Sequence, residues 1–282
     1  MDCSLPIIYN AGQQRRSAIV YQFLSRSDWY FGVCGNLRCT VRETQIPDAP
    51  AFIRGMRALF ISDVHATSRT GAADIAALAE VLAGVQADII LLGGDYADEN
   101  EHAVRLLKGL KGLSAPLGVY AVVGNNDREA FEDIADLRRL MGSLGFRLLV
   151  NESVTLRMKG GRLIVAGLDE YKYGRPDAAG LYPAEAGDHV YRLLLSHYPR
   201  AVEPMPDLML SGHTHGGQFN ALGLNPYTIG FERIVHFRRA SRYIAGLHRY
   251  KDGWMLVSKG IGASKLPLRI GVAPEVDLIV FE

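Results

Sequence analysis

Three unbroken apolar runs in the first half of the chain, separated by stretches of helical periodicity, restrict it to an α/β architecture. Ala58-Leu59-Phe60-Ile61-Ser62 reads as a buried strand, and Asp88-Ile89-Ile90-Leu91-Leu92 and Val119-Tyr120-Ala121-Val122-Val123 as the next two strands. Residues 71–85, 101–112 and 128–142 space their apolar side chains as helices do, the last ending near Gly142 and Gly145. Strand, helix, strand in repetition implies parallel pairing. Beyond residue 145 the pattern turns to short strands, near 146–150, 153–157 and 162–166, then at Leu193-Leu194-Leu195, Leu208-Met209-Leu210, Met255-Leu256-Val257 and Leu278-Ile279-Val280. Residues 170–190, rich in Gly, Pro, Tyr and Ala without clear periodicity, read as a surface excursion of the kind that shapes a substrate site.

A chain of 282 residues can bury one large core, and residues 38–282 read as a single catalytic domain. Residues 1–37 mix Tyr9, Tyr21, Phe23, Trp29, Tyr30 and Phe31 with Arg15, Arg16 and Arg26, which suits an extension packed on the domain or an element at a membrane surface. No apolar run approaches the ~20 residues that span a bilayer. The Arg15-Arg16 pair is followed too soon by Arg26 and Asp28 to read as an export signal. Cys3, Cys34 and Cys39 read as free thiols, and the expected location is the cytoplasm, with peripheral contact at the inner face of the membrane as the extension of that reading. A net charge of +1 gives no support to a nucleic-acid partner, and no specific protein partner is inferred.

Polar residues gather where these strands end. Asp63 and His65 follow the first run, Gly94-Asp95 the second, Gly124-Asn125-Asn126-Asp127 the third, Ser196-His197 a later strand, and Gly212-His213-Thr214-His215-Gly216-Gly217 the next. Open α/β sheets assemble their sites at those ends. Singly, each motif reads as a cap or a turn; five of them, mixing carboxylate, imidazole and amide oxygen without thiolate, point to a metal site. His213 and His215, two apart, would share a face if they lay on a strand.

This ordered series resembles the calcineurin-like metallophosphoesterase superfamily over about residues 57–282. The resemblance implies an α/β fold, a four-layer αββα sandwich of two mixed sheets flanked by helices. It implies that Asp63, His65 and His215 hold one divalent ion, that Asn125, His197 and His213 hold the other, and that Asp95 bridges them. Two such ions ~3.5–4 Å apart clamp the attacking and leaving oxygens of a phosphoryl displacement, with a metal-bridging hydroxide as nucleophile. This donor set suits Mn, Fe, Zn or Co and does not choose among them. The tail 254–276 is similar to a bacterial branch containing membrane-associated phosphodiesterases and a UDP-2,3-diacylglucosamine pyrophosphatase. A nucleotide-linked lipid thereby joins the substrates to consider.

At the third motif the superfamily carries a histidine that protonates the leaving oxygen, and this chain carries Asn126. An amide can hydrogen-bond a nonbridging oxygen but is no acid, and a general acid typically contributes 10²–10⁴-fold. Its absence is tolerable when the leaving group is already a stable anion, which favours pyrophosphate or activated diester substrates. Asp127 reads equally as a holder of Asn126 and as a cap of the following helix. Arg269 in the tail reads as a substrate-binding rim residue, and Arg233, Arg238, Arg239, Arg242, Arg249 and Lys251 as a solvated face or as a second part of that rim. The expected function is hydrolysis of a phosphodiester or pyrophosphate. A phosphomonoesterase or protein phosphatase, and a non-catalytic metal-site scaffold, stand as alternatives.

Overall fold

The computed structural model describes residues 31–33, 36–182, 189–220, 224–225 and 243–282. The first half supplies β1 (Phe31–Val33), β2 (Thr40–Ile46), β3 (Arg57–Ile61), α1 (Ala72–Gly84), β4 (Ile89–Leu92), α2 (Asn100–Gly109), β5 (Val119–Ala121), α3 (Asn125–Ala130), α4 (Ile134–Ser143) and β6 (Phe146–Leu148). The second half supplies β7 (Glu152–Met158), β8 (Gly161–Gly167), β9 (Val190–Leu195), β10 (Leu208–Ser211), β11 (Gly246–Tyr250), β12 (Gly253–Val257), β13 (Leu268–Ile270) and β14 (Glu275–Phe281). They form two six-stranded mixed sheets, in the orders β2-β14-β3-β4-β5-β6 and β11-β12-β10-β9-β8-β7. A small third sheet pairs β1 with β13.

The continuous apolar runs are explained by burial on both faces, since successive side chains alternate between two cores. On β3, Leu59 and Ile61 join the helix-side core with Ile75, Leu78, Leu106 and Met141. Ala58 and Phe60 turn the other way, into a core shared with Leu193, Leu195, Leu208 and Leu210 of the second sheet. The two sheets therefore pack face to face. Met209, Met255 and Val257 point to the second sheet's outer face, where Leu181, Val202 and half-buried Tyr182 and Tyr243 cover them. The two mixed sheets with flanking helices agree with the expected fold class.

One local expectation needs correction. The helix expected over 128–142 is two helices, because Phe131 is extended and buried and Asp133 starts α4 as its N-cap, accepting from Ala135 N (2.8 Å). His213 and His215 follow β10 in a loop, as the strand-end motif implies, both at positive φ, with His215 opening a 3₁₀ turn among Gly212, Gly216 and Gly217. Cys39 is a half-buried free thiol, and Cys3 and Cys34 lie outside the described residues. The aromatic and arginine-rich stretch read as a membrane-surface element also lies outside them, up to residue 30. No helix of the described residues is long and apolar enough to cross a membrane.

One buried carboxylate has no part in any site. Asp277 on β14 has its Oδ2 buried without a hydrogen-bond partner among the described residues. Burial first, then repulsion from Glu275, pushes it up to about 7, against the opposing pull of Ser258, Arg42 and Lys259. A carboxyl group whose pKa rises on folding contributes most below its unfolded value of about 3.9 and loses that contribution as pH climbs through 7. Asp277→Asn is therefore expected to raise the melting temperature at pH 8 by about 3 °C or more and to change it little at pH 4. Thermal unfolding at the two pH values checks this; equal shifts at both would contradict it.

Candidate metal centre

Parallel strands from both sheets end at one place, and their exit loops carry the polar residues. Beyond β3 and β4 the backbones stay zipped: Asp63 N donates to Gly94 O (3.0 Å) and His65 N to Asp95 O (3.1 Å). Asp127 at the start of α3 draws the third loop in, accepting from Gly124 N (2.7 Å), Asp95 N (2.8 Å) and Tyr96 N (2.9 Å). It neither holds the Asn126 side chain nor serves merely as a cap. His213 N donates to both oxygens of Asp63 (2.9 and 3.0 Å), joining the two sheets, and His197 Nδ1 meets Gly93 O at 2.9 Å. The loops approach this closely because two glycines permit it: a Cβ on Gly124 would overlap Asp95 Oδ1, and one on Gly212 would overlap Asp63 Oδ2.

Six of the expected side chains converge in two groups, Asp63 with His65 and His215, and Asp95 with His197 and His213, each with its potential ligand atoms within 4.8 Å of one another. The groups adjoin. Asp95 Oδ2 lies 3.5 Å from His65 Nε2 of the first group and 3.3 Å from His197 Nε2 of its own, and His197 Nε2 lies 4.0 Å from Asp63 Oδ1. His215 Nε2 is 3.6 Å from Asp63 Oδ1. Five of the six residues, all but His197, adopt positive φ, a conformation uncommon outside glycine and concentrated at functional sites. Asn125 opens α3 beside them, and Asn126 N donates to Asp95 Oδ1 (2.8 Å).

The residues fit divalent cations. His65 Nε2, His197 Nε2 and Asn125 Oδ1 are buried acceptors or donors with no hydrogen-bond partner among the described residues, an expensive state for polar atoms unless a ligand engages them. Asn125 is held with that oxygen free because its amide nitrogen donates to Asn126 Oδ1. His215 Nδ1 lies 3.0 Å from the Arg269 guanidinium, which can only donate to it, whereas the Nδ1–H groups of His65 and His197 are held by outside acceptors, Asp98 Oδ1 (2.6 Å) and Gly93 O. Outer contacts of this kind fix ring orientation at metal sites. Charge tells the same story. Although burial opposes it, the Asp95 carboxylate holds the His197 imidazole up to about 10, and Asp98 raises His65 against the same burial. Burial, and then the neighbouring imidazoles, hold His213 and His215 well below the ordinary range. The buried Asp95 carboxylate and the exposed Asp98 carboxylate thus draw protons onto two rings where a cation could take their place.

Arg269 is not a rim residue. It is fully buried, donating from Nε to Gly262 O (2.5 Å) and from one terminal nitrogen to Lys259 O (2.6 Å) and His215, so it orients a candidate ligand from behind. Of the cationic residues after the last motif, Arg249 lies over the Trp254 ring (4.9 Å) and Lys251 pairs with Glu203, both away from the centre. Arg233, Arg238, Arg239 and Arg242 lie outside the described residues. Asp98 is the residue that sequence reasoning missed; its exposed carboxylate accepts from Asn126 Nδ2 (2.5 Å) as well as meeting His65. Its only signal was an acid three positions after Asp95 in a strand-end loop.

Comparison with known proteins agrees with this geometry. Residues 56–217 match the family model of the calcineurin-like phosphoesterases. The chain is 33% identical to the uncharacterized metallophosphoesterase YkoQ of Bacillus subtilis (strain 168), over 67% of this chain and 70% of YkoQ. It is 27% identical to YkuE, an uncharacterized metallophosphoesterase of the same organism, over 86% of this chain and 84% of YkuE. It is also 27% identical to the phosphodiesterase YaeI of Escherichia coli (strain K12), over 78% of this chain and 80% of YaeI. With the strand-end motifs, their convergence and these matches in agreement, the chain belongs to the calcineurin-like phosphoesterase family.

Proposed function

We propose that this protein hydrolyses a phosphodiester or pyrophosphate bond with the help of two divalent ions. Asp63, His65 and His215 would hold one ion, Asn125, His197 and His213 the other, and Asp95 would serve both. When bound, such ions supply an activated water and neutralise charge that develops on the phosphoryl oxygens. The chain's own residues do the rest. Asp127 ties the loops after β4 and β5 together through three backbone N–H groups, and Asp98 and Arg269 orient His65 and His215. Asn126 and His213 are half-buried, and the Asn126 amide, which gives one N–H to Asp98 Oδ1, would offer the other to a nonbridging oxygen of an arriving ester.

The observation that carries the reading is Asp95 Oδ2 standing between His65 Nε2 and His197 Nε2, one carboxylate oxygen facing both groups. The preference for diesters or pyrophosphates rests on Asn126, which offers no proton to a leaving alkoxide. The relative YaeI, named a phosphodiesterase, supports the same preference. Manganese-supplemented turnover of bis-p-nitrophenyl phosphate and p-nitrophenyl phosphate tests it, with the diester expected to be turned over faster. Faster monoester turnover would defeat the diesterase preference and favour a phosphomonoesterase. Absence of turnover across a phosphoester panel by fully metallated protein would favour a scaffold without catalysis.

A further inference from the structure

Beside the candidate centre stands a group of side chains that none of the metal motifs accounts for. The Tyr198 ring stacks on His213, with centroids 3.8 Å apart and planes inclined by 30°. Tyr171 meets Tyr198 edge-on at 5.8 Å and carries the Arg200 guanidinium 4.6 Å above its own ring. Both tyrosines are half-buried, and Lys172 and Arg200 are exposed. The group is continuous with His213, on the side where the centre meets solvent. We infer that Tyr171, Tyr198 and Arg200 form a recognition wall for the second substituent of the phosphoester, and that it selects flat aromatic or nucleobase-like substituents over alkyl ones. This rests on the phosphoesterase reading and names its substrate class.

Three features support it. First, the wall is built rather than incidental. The Tyr198 carbonyl accepts from Arg200 N (2.8 Å), Ser196 Oγ (2.9 Å) and Ser211 Oγ (3.4 Å), which ties its backbone to the ends of β9 and β10, and its ring is held by the stack on His213. Tyr171 sits in a loop that the buried Glu170 ties by accepting from Lys172 N (2.7 Å), Tyr173 N (2.5 Å) and Gly174 N (2.6 Å). Asp169 fastens that loop to α3 through Arg128 (2.6 and 3.0 Å), directly after Asp127. Rings fixed in advance lose little conformational freedom on binding. Second, aromatic faces and edges attract flat π-systems, and guanidinium stacks on them, whereas an alkyl group gains only area. Third, Arg200 and Lys172 give the wall the positive charge that an anionic ester needs on approach.

The test compares bis-p-nitrophenyl phosphate with methyl p-nitrophenyl phosphate. Both lose the same leaving group, and the change in their kcat/KM ratio between proteins cancels their intrinsic difference in reactivity. Tyr171→Ala, which touches none of the candidate ligands, is expected to lower that ratio about five- to tenfold, chiefly through a raised KM for the aryl diester. Tyr171→Phe, which keeps the ring, is expected to restore the ratio, and Arg200→Leu to lower it in part. In parallel, calorimetry on metal-loaded protein is expected to show phenylphosphonate binding more tightly than methylphosphonate, by a margin that Tyr171→Ala removes. The inference is overturned if the ratio is the same in all four proteins and the two phosphonates bind alike. Should phenylphosphonate keep its Tyr171-dependent margin while neither ester is cleaved, the phosphoesterase reading fails and the recognition wall stands.

Discussion

Asp95→Asn is expected to lower diester turnover on the order of 10³-fold and to leave one bound ion or fewer per chain. The amide matches the carboxylate in shape and keeps an oxygen to accept from Asn126 N, so the fold around it has no reason to move. What it removes is the negative charge between His65 Nε2 and His197 Nε2, at 3.5 and 3.3 Å. Elemental analysis with circular dichroism separates loss of metal from loss of fold. A protonic consequence follows from the same contact. Because Asp95 holds the metal-free His197 imidazole up to about 10 against its burial, that ring is protonated at pH 7 and must give up its proton to bind a cation. Apparent metal affinity is therefore expected to rise with pH up to about 10, with proton release on metal addition at pH 7, and Asp95→Asn is expected to flatten that slope. Retention of two ions and of activity within tenfold of the unaltered chain would refute the shared position of Asp95.

What could be read from the residues alone was whatever short-range physics determines. β3, β4, β9 and β10 announce themselves because both faces are buried, and ligand-type residues at their ends follow from the way parallel sheets expose their carboxyl edges. β2 was illegible for the opposite reason. Its Thr40-Val41-Arg42-Glu43-Thr44-Gln45 carries mostly polar side chains, half-buried or exposed, at a sheet edge, and its partner β14 lies more than two hundred residues away. Pairing of that kind leaves little mark in a local window. The same limit governs the site. The seven ligand-type residues stand out by type and spacing, but their supports do not. Arg269 reads as a surface cation until β13 turns it inward against the carbonyls of Lys259 and Gly262. Asp98 and Tyr198 acquire their roles only through contacts with His65 and His213, residues distant in the chain or brought close by a loop at positive φ.

Asn126→His is expected to raise turnover of phenyl phosphate about 10²-fold while changing that of p-nitrophenyl phosphate by no more than a few-fold. The difference follows from the leaving groups. p-Nitrophenolate departs readily without a proton and phenolate does not, so an added acid helps the second far more. The fold already holds what such an acid requires. Asn126 is half-buried beside the ligand set, and its amide nitrogen lies 2.5 Å from Asp98 Oδ1, the carboxylate that also orients His65. An imidazole at 126 would find that anion within reach, and an adjacent carboxylate raises the pKa of imidazole, keeping it protonated near neutral pH. Its signature is a descending limb on the alkaline side of the pH–rate profile for phenyl phosphate, where the new acid loses its proton, with no such limb for the nitrophenyl ester. Asp98→Asn in the same background is expected to move that limb to lower pH, since the anion that sustained the proton is gone. If Asn126→His leaves the phenyl ester as slow as before, the leaving oxygen does not pass residue 126, and the absence of an acid there carries no information about the natural substrate. A selective gain would mean the opposite: the chain has the frame for monoester hydrolysis and lacks one proton donor, as an enzyme can whose substrate leaves as a stable anion.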